Sequence, residues 1–310
     1  MYTLISDIHQ LALPTPLAGA ESVLTVGAFD GIHIGHQDLI AKLIDRARHT
    51  GRISALITFD PHPAAVLHPE EPFYYLTTST EKRDLVEPLG LDVLVVLNFD
   101  LDLAGLPPRA FVQRLSERMR MREMWIGPDF ALGRQRQGDV ARLRRLGNEH
   151  GFEVYDIPYV TQGAQRVSSS TIRALLQEGR VDEVSYLLGR PYALSGKVVP
   201  GARRGHDLGF PTANVSVAPD RALPAYGVYA TYARLGSERY RSVTNVGVRP
   251  TFDNGACSVE AYLMDFAQDI YGRELAIDFV ARLRPEKRFA GVQELIVQME
   301  HDVERARQIL

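Results

Sequence analysis

Two histidines, in His33-Ile34-Gly35-His36, close a glycine-bearing run that opens at Gly27 and continues Ala28-Phe29-Asp30-Gly31-Ile32. Imidazoles three residues apart can donate hydrogen bonds to oxygens that gather charge on an α-phosphate. The glycines let backbone approach that anion closely. Such a group suits nucleotidyl transfer, in which an acceptor phosphate attacks in line and pyrophosphate leaves, so that positioning and charge carry most of the rate. On residue types alone, a surface turn that happens to hold two histidines explains the run nearly as well. Ser168-Ser169-Ser170-Thr171-Ile172-Arg173 opens a second helix, and hydroxyls with an Arg at a helix start make a clamp for β- and γ-phosphates. Ordinary capping accounts for one of those serines but not for the run or for Arg173. Asp60-Pro61-His62-Pro63 adds polar groups after another strand, where a Pro-stiffened turn is an equal explanation.

A different chemistry is legible far down the chain, in Gly209-Phe210-Pro211-Thr212-Ala213-Asn214. The Thr212 hydroxyl and Asn214 amide carbonyl, two residues apart, are oxygen donors suited to Mg²⁺, which takes few protein ligands beside substrate phosphates. A tight Pro turn is the plainer explanation of the same residues. In Ser258-Val259-Glu260-Ala261-Tyr262-Leu263, alternation puts Val259, Ala261 and Leu263 on one strand face and Glu260 with Tyr262 on the other. Glu260 is the candidate general base, although a lone Glu on a polar strand face is most often a solvated charge. Cys257 falls on the face opposite Glu260 and takes no role.

These residues need elements to hold them. Val23–Val26, Ile53–Phe59, Leu91–Leu97, Met124–Ile126 and Phe152–Ile157 are predicted strands. Helical spacing separates them, with Leu39, Ile40, Leu43, Ile44 and Ala47 on one face before Gly51, a capping box at Thr78 and Glu81, and helices over 109–120 and 139–149. Alternation of this kind predicts βαβ units and a parallel sheet, with ligands at the carboxyl ends of its strands. Ile172, Leu175 and Leu176 form the inner face of the helix that Ser169 opens. The rhythm changes at Gly189-Arg190-Pro191, so the domains are expected at 1–188 and 189–310. Beyond it, Tyr192–Val199, Gly227–Leu235, Arg239–Val246, Ser258–Met264 and Glu274–Leu283 are predicted strands of an antiparallel barrel, closed by a helix from Val292 to Leu310.

Composition bounds the partners. The 310 residues, 45% of them hydrophobic, can bury two cores. A formal net charge of −3 gives no basic field for nucleic acid or an anionic membrane. The Arg-rich stretch from Arg114 to Arg145 is interrupted by Glu117, Glu123, Asp129 and Asp139 and is expected to form solvated faces. One cysteine excludes an intrachain disulfide and suits a reducing, cytoplasmic home. The N-terminus lacks the charge and apolar run of a signal peptide, and no apolar stretch is long enough to span a membrane. No heptad seam is readable that would fix an assembly state.

The chain resembles the prokaryotic bifunctional riboflavin kinase/FAD synthetase family in both halves. The first half carries Gly27-x-Phe29-Asp30-Gly31-x-His33-x-Gly35-His36, Phe59-Asp60-Pro61-His62-Pro63, Gly127-x-Asp129-Phe130-x-x-Gly133 and Ser169-Ser170-x-x-Arg173. The second carries Gly196–Gly205, Leu208–Asn214, Val259-Glu260, Asn245-x-Gly247-x-Arg249-Pro250-Thr251-Phe252 and Leu283-Arg284-x-Glu286-x-x-Phe289. The resemblance implies a Rossmann-like nucleotidyltransferase domain followed by a β-barrel riboflavin kinase domain with a terminal helix. Riboflavin would become FMN and FMN would become FAD, each with ATP and Mg²⁺.

By the same resemblance, Glu260, His33 and His36 are catalytic, and Thr212 and Asn214 hold the metal. Gly27, Phe29, Asp30, Gly35, Asp60, His62, Asp129, Ser169, Ser170, Arg173, Gly201, Arg204, Gly209 and Phe210 line the nucleotide and flavin sites. Two departures are Leu132, where Phe is usual, and Ser170, where Thr is common. His206-Asp207 also stands where a basic residue and Thr are usual. An aminoacyl-tRNA synthetase is disfavoured because no Lys-Met-Ser-Lys-Ser segment is present. Two alternatives remain: an adenylyltransferase for another phosphorylated metabolite fused to an unrelated barrel, and a non-catalytic flavin-binding protein.

Overall fold

Apolar runs such as Val93-Leu94-Val95 have no polar face to offer water, and they are covered on both sides. The computed structural model describes residues 1–163, 165–201, 209–248 and 257–310. The chain divides into two compact units, Met1–Ser168 and Ser169–Leu310.

In the first unit, β1 (Tyr2–Ser6), β2 (Ser22–Val26), β3 (Ile53–Asp60), β4 (Val93–Asn98), β5 (Met121–Ile126) and β6 (Glu153–Asp156) pair in parallel. Their order in the sheet is β1-β4-β3-β2-β5-β6. The path runs outward from β2 through β3 to β4, then restarts at β5 on the other side of β2. The order therefore reverses between β2 and β5, and such a switch point opens a crevice at the carboxyl ends of the strands. The helices are α1 (Ile34–Thr50), α2 (Pro63–Leu67), α3 (Ser79–Val86), α4 (Leu101–Ala104), α5 (Pro108–Arg118) and α6 (Val140–His150). A short hairpin, β7 (Thr161–Gln162) and β8 (Gln165–Arg166), follows β6.

The predicted α1 face is the buried one, and Gly51 ends the helix at φ +64°. Both halves of the Thr78/Glu81 capping box are formed. Apolar side chains fill both sides of the sheet: Leu24, Val95 and Phe111 belong to one core, Val23, Leu56 and Leu94 to the other. One sequence expectation fails here. Glu123 is not on a solvated face but 1% exposed on β5, where its carboxylate accepts from Arg46, Arg52 and Trp125 Nε1. A buried carboxylate requires such partners.

The second unit opens with α7 (Ser169–Glu178) and α8 (Val181–Leu188). It continues through β9 (Tyr192–Val199), β10 (Thr212–Ser216), β11 (Gly227–Leu235), β12 (Glu238–Val248), β13 (Cys257–Leu263), β14 (Glu274–Pro285) and α9 (Val292–Ile309). The strands close an antiparallel barrel in the order β10-β13-β12-β11-β14-β9. Ala306 of α9 packs with Val228, Ala230 and Leu283 on the barrel's outer face. Packing divides the chain at Ser168/Ser169, earlier than the 188/189 boundary suggested by the change of rhythm. The reason is local: α8 packs on β14 and β9. Arg282 of β14 donates from Nη1 to the Glu178 carbonyl at 3.2 Å and from Nη2 to that of Tyr226 at 2.7 Å. Among the described residues, no helix is long and apolar enough to cross a membrane.

Candidate active sites

The Gly27–His36 loop leaves the carboxyl end of β2, beside the switch point. Three of its residues have left-handed backbone, Phe29 (φ +48°), Gly31 (φ +83°) and Ile32 (φ +39°). For Phe and Ile this conformation costs energy that surrounding contacts must offset. Both side chains are buried, and the polar groups are pinned. Asp30, 2% exposed, accepts from the amides of Leu76 and Thr77 and from the Thr77 hydroxyl at 3.0–3.1 Å. Thr77 Oγ1 in turn accepts the Gly31 amide at 3.1 Å. Asp30 thus shapes the loop by holding the strap at 76–77. Asp30→Ala strands these buried donors and is expected to destabilise the first unit by about 3 kcal/mol. A thermal melt of that unit checks it, with a fall in Tm of roughly 10 °C.

His33 caps α1. Its Nδ1 accepts the His36 amide at 3.2 Å, which places the proton of the neutral ring on Nε2. The two imidazoles stack with centroids 3.6 Å apart and planes 16° from parallel. The Phe29 ring tilts onto His36 at 4.8 Å. A Cβ at Gly35 would sit 3.2 Å from His33 Nδ1, so glycine gives the His33 ring its place. Other atoms of His36 reach the surface, but its Nδ1 is shut from water without a hydrogen-bond partner among the described residues. Desolvation, then the neighbouring His33 and Lys82, hold its pKa well below the ordinary 6.5. His36 is therefore a neutral imidazole at neutral pH and can act as a hydrogen-bond donor.

The other sequence candidates for this chemistry divide between the two units. Asp60 ends β3 and accepts from the Ser79 hydroxyl. His62 caps α2 by accepting the Ala64 amide at 3.1 Å, and its ring stacks on Phe73 at 4.1 Å. Asp129 follows β5 and is exposed. Hydrogen bonds from Tyr159 and Arg166 hold its carboxyl below the usual range, and the Arg166 contact measures 2.8 Å. Leu132 is buried in the core and bridges Gly138 through its backbone. Ser169, Ser170 and Arg173 lie at the start of α7, whose buried face is Ile172, Leu175 and Leu176 as predicted. These three belong to the second unit.

The second unit has its own site. Glu260 stands on β13 directly opposite Asn214 of β10 on one side and Asn245 of β12 on the other. It lines a cavity of about 750 Å³ with Phe210, Thr212, Asn245, Tyr262 and Glu286, under a roof from α9 and the segment before it. Phe210 meets the Tyr262 ring edge-on at 5.3 Å. A neighbouring cavity of about 470 Å³ is lined by Pro211, Thr212, Asp269 and Tyr271. Thr212 belongs to both. Asn214 is 7% exposed, and a Cβ at Gly201 would lie 2.1 Å from its Nδ2, so this glycine makes room for the amide. Thr212 and Asn214 alternate onto one face of β10 and offer the oxygen donors that Mg²⁺ favours. Gly209 has φ +85°. Arg204, His206, Asp207 and the 249–252 run lie outside the described residues.

Several lining residues stand in the motifs of the resemblance but not among its site residues. Asn245, Arg284, Glu286 and Phe289 all face the Glu260 cavity. Arg284 donates from Nε to both carboxylate oxygens of Asp302 at 3.2 and 2.9 Å, tying β14 to α9. The Glu260 alternation was the available signal for Asn245 alone, its cross-strand neighbour on β12.

A parallel-sheet domain with a histidine loop at its switch point, in one chain with a carboxylate-bearing closed barrel, defines a two-site class of nucleotide-handling protein. A family model described as FAD synthetase matches residues 16–171, and one described as riboflavin kinase matches residues 188–310. The chain is 36% identical to the bifunctional riboflavin kinase/FMN adenylyltransferase of Listeria monocytogenes, over 92% of this chain and 91% of the relative. It is 34% identical to the protein of the same description from Escherichia coli K12, over 98% and 97%. A crystal structure described as a macrolide-efflux protein from Streptococcus pneumoniae matches with TM-score 0.90 and 29% identity, over 99% of both chains. The chain belongs to the bifunctional riboflavin kinase/FMN adenylyltransferase family.

Proposed function

We propose that this chain phosphorylates riboflavin to FMN and adenylylates FMN to FAD, with ATP as the donor in both reactions. The functional domains are taken as 1–188 for adenylyl transfer and 189–310 for the kinase. The observation that carries the kinase reading is Glu260, flanked by Asn214 and Asn245, on the wall of a cavity that shares Thr212 with its neighbour. This arrangement supports an acceptor in the larger cavity and a nucleotide in the smaller one.

In the kinase step Glu260 takes the proton of the riboflavin 5′-hydroxyl. The oxygen bonds to the γ-phosphorus of ATP, the bridge to the β-phosphate breaks, and ADP leaves. Thr212 and Asn214 would hold Mg²⁺, which when bound neutralises charge on the phosphates. In the adenylyl step an FMN phosphate oxygen bonds to the α-phosphorus of ATP and pyrophosphate leaves. His33 and His36 donate to the oxygens gathering charge, from a loop whose shape is fixed before substrate arrives. The resemblance assigns Ser169, Ser170 and Arg173 to the ATP phosphates of this reaction, and Gly27, Phe29, Asp60, His62 and Asp129 to its nucleotide and flavin. The single cysteine supports a reducing compartment, and we place the enzyme in the cytoplasm.

The test is one incubation of the purified protein with riboflavin, ATP and Mg²⁺, followed by chromatography of the flavins. FMN followed by FAD is the expected course. FMN alone would remove the adenylyl reading, and unchanged riboflavin that stays bound would favour a flavin-binding protein.

A further inference from the structure

Lys82 carries a charge that the mechanism above does not use. It sits on α3 at 7% exposure, and its Nζ donates to the Ala28 carbonyl at 2.8 Å and to Thr58 Oγ1 at 3.1 Å. Thr58, fully buried on β3, donates to the same Ala28 carbonyl at 2.9 Å. A closed triangle thus grips the loop immediately before the left-handed Phe29. An ammonium is rarely taken out of water for packing alone, because a neutral side chain would fill the space without the desolvation cost.

We propose that Lys82 is a positioning residue of the adenylyl-transfer site, its buried ammonium holding the strained Gly27–His36 loop that presents the two histidines. The inference rests on the reading of those histidines given above. Its charge has a second effect. Burial lowers the pKa of Lys82, and the acids facing it, Asp30 on the loop and Asp60 at the end of β3, oppose that and favour the ammonium. On the other side stands His36, with His33 stacked on it. A cation there opposes a second positive charge on His36. Lys82 therefore works in two ways, as a hydrogen-bond donor to backbone and as a charge that adds to the effect of burial and of His33 in keeping the imidazole neutral.

The two roles separate in the pH profile of FMN adenylylation by the full chain, with a thermal melt of each variant as the folding check. Lys82→Met is expected to lower kcat about tenfold to a hundredfold. It also moves the acidic limb to higher pH, because His36 gains a proton more easily without the neighbouring cation. Lys82→Arg keeps the charge and leaves the limb near its original place. Thr58→Val removes one hold on Ala28 but no charge, so the rate falls severalfold while the limb stays.

A wild-type rate and limb in Lys82→Met would overturn the inference. So would a limb displaced equally by Thr58→Val, since loosening of the loop would then explain both. Should Lys82→Met fail to fold, a wild-type rate in Thr58→Val overturns the holding role. His36→Ala separates the layers of argument. If that variant still makes FAD, the histidine reading fails; if it is inactive while Lys82→Met behaves as wild type, only the Lys82 inference fails.

Discussion

Glu260→Gln is expected to reduce riboflavin phosphorylation by about two to four orders of magnitude, the range for loss of a general base. The substitution keeps the shape of the side chain and its place between Asn214 and Asn245, so the cavity of about 750 Å³ stays intact. The loss should therefore fall on kcat, with riboflavin binding nearly unchanged, because only the proton acceptor has gone. FMN adenylylation in the same preparation should continue at its normal rate. Initial rates with riboflavin and with FMN, measured separately by flavin chromatography, decide the matter. Phosphorylation at the wild-type rate would exclude Glu260 as the base.

The mirror result is expected for His36→Ala. FAD formation from FMN should fall by roughly a hundredfold to a thousandfold, the usual effect of deleting a preorganised donor, while riboflavin phosphorylation persists. The same histidine has a signature in stability. In the unfolded chain it titrates near 6.5, and in the folded chain well below that. Between those two values the unfolded state binds the extra proton, so stability rises with pH. Its contribution is complete above pH 6.5 and is lost as pH falls from there toward the folded value. His36→Gln, which cannot titrate, should flatten that part of the acid slope. Denaturant midpoints for the two proteins at several pH values between 5 and 7 check this, and parallel curves would contradict the shift.

Much of this architecture can be read from the chain because periodicity reports burial directly. The α1 stripe from Leu39 to Ala47 and the alternation around Glu260 each have one face that must leave water. Motif spacing added the positions of the loops after β2, β3 and β5, which border the switch point. What stayed illegible depends on partners distant in sequence. β10 was hidden because Pro211 and Asn214 suggest a turn, and only pairing with β9 and β13 makes the segment a strand. β1 was hidden because an edge strand covered on one side has a mixed pattern, and Ile5 is 85% exposed. Lys82 carries no signal of burial in the helical spacing around it. Its burial follows from the Ala28 carbonyl, which no local pattern shows. The hold of Asp30 on the amides of Leu76 and Thr77 likewise joins residues far apart in sequence, and no local pattern shows it.

The packing of α7 and α8 with the barrel bears on how this polypeptide can be taken apart. A gene fragment ending at residue 188 would carry α8 away from β14 and leave Val181, Val184, Leu187 and Leu188 without their cover. A fragment ending at 168 would spare that face but would omit the Ser169-Ser170-x-x-Arg173 run. The matching C-terminal pieces inherit the complementary defect or the complementary benefit. Two reactions in tandem need not mean two modules with a clean seam, and for this chain a recombinant kinase fragment is better begun at Ser169 than at Gly189.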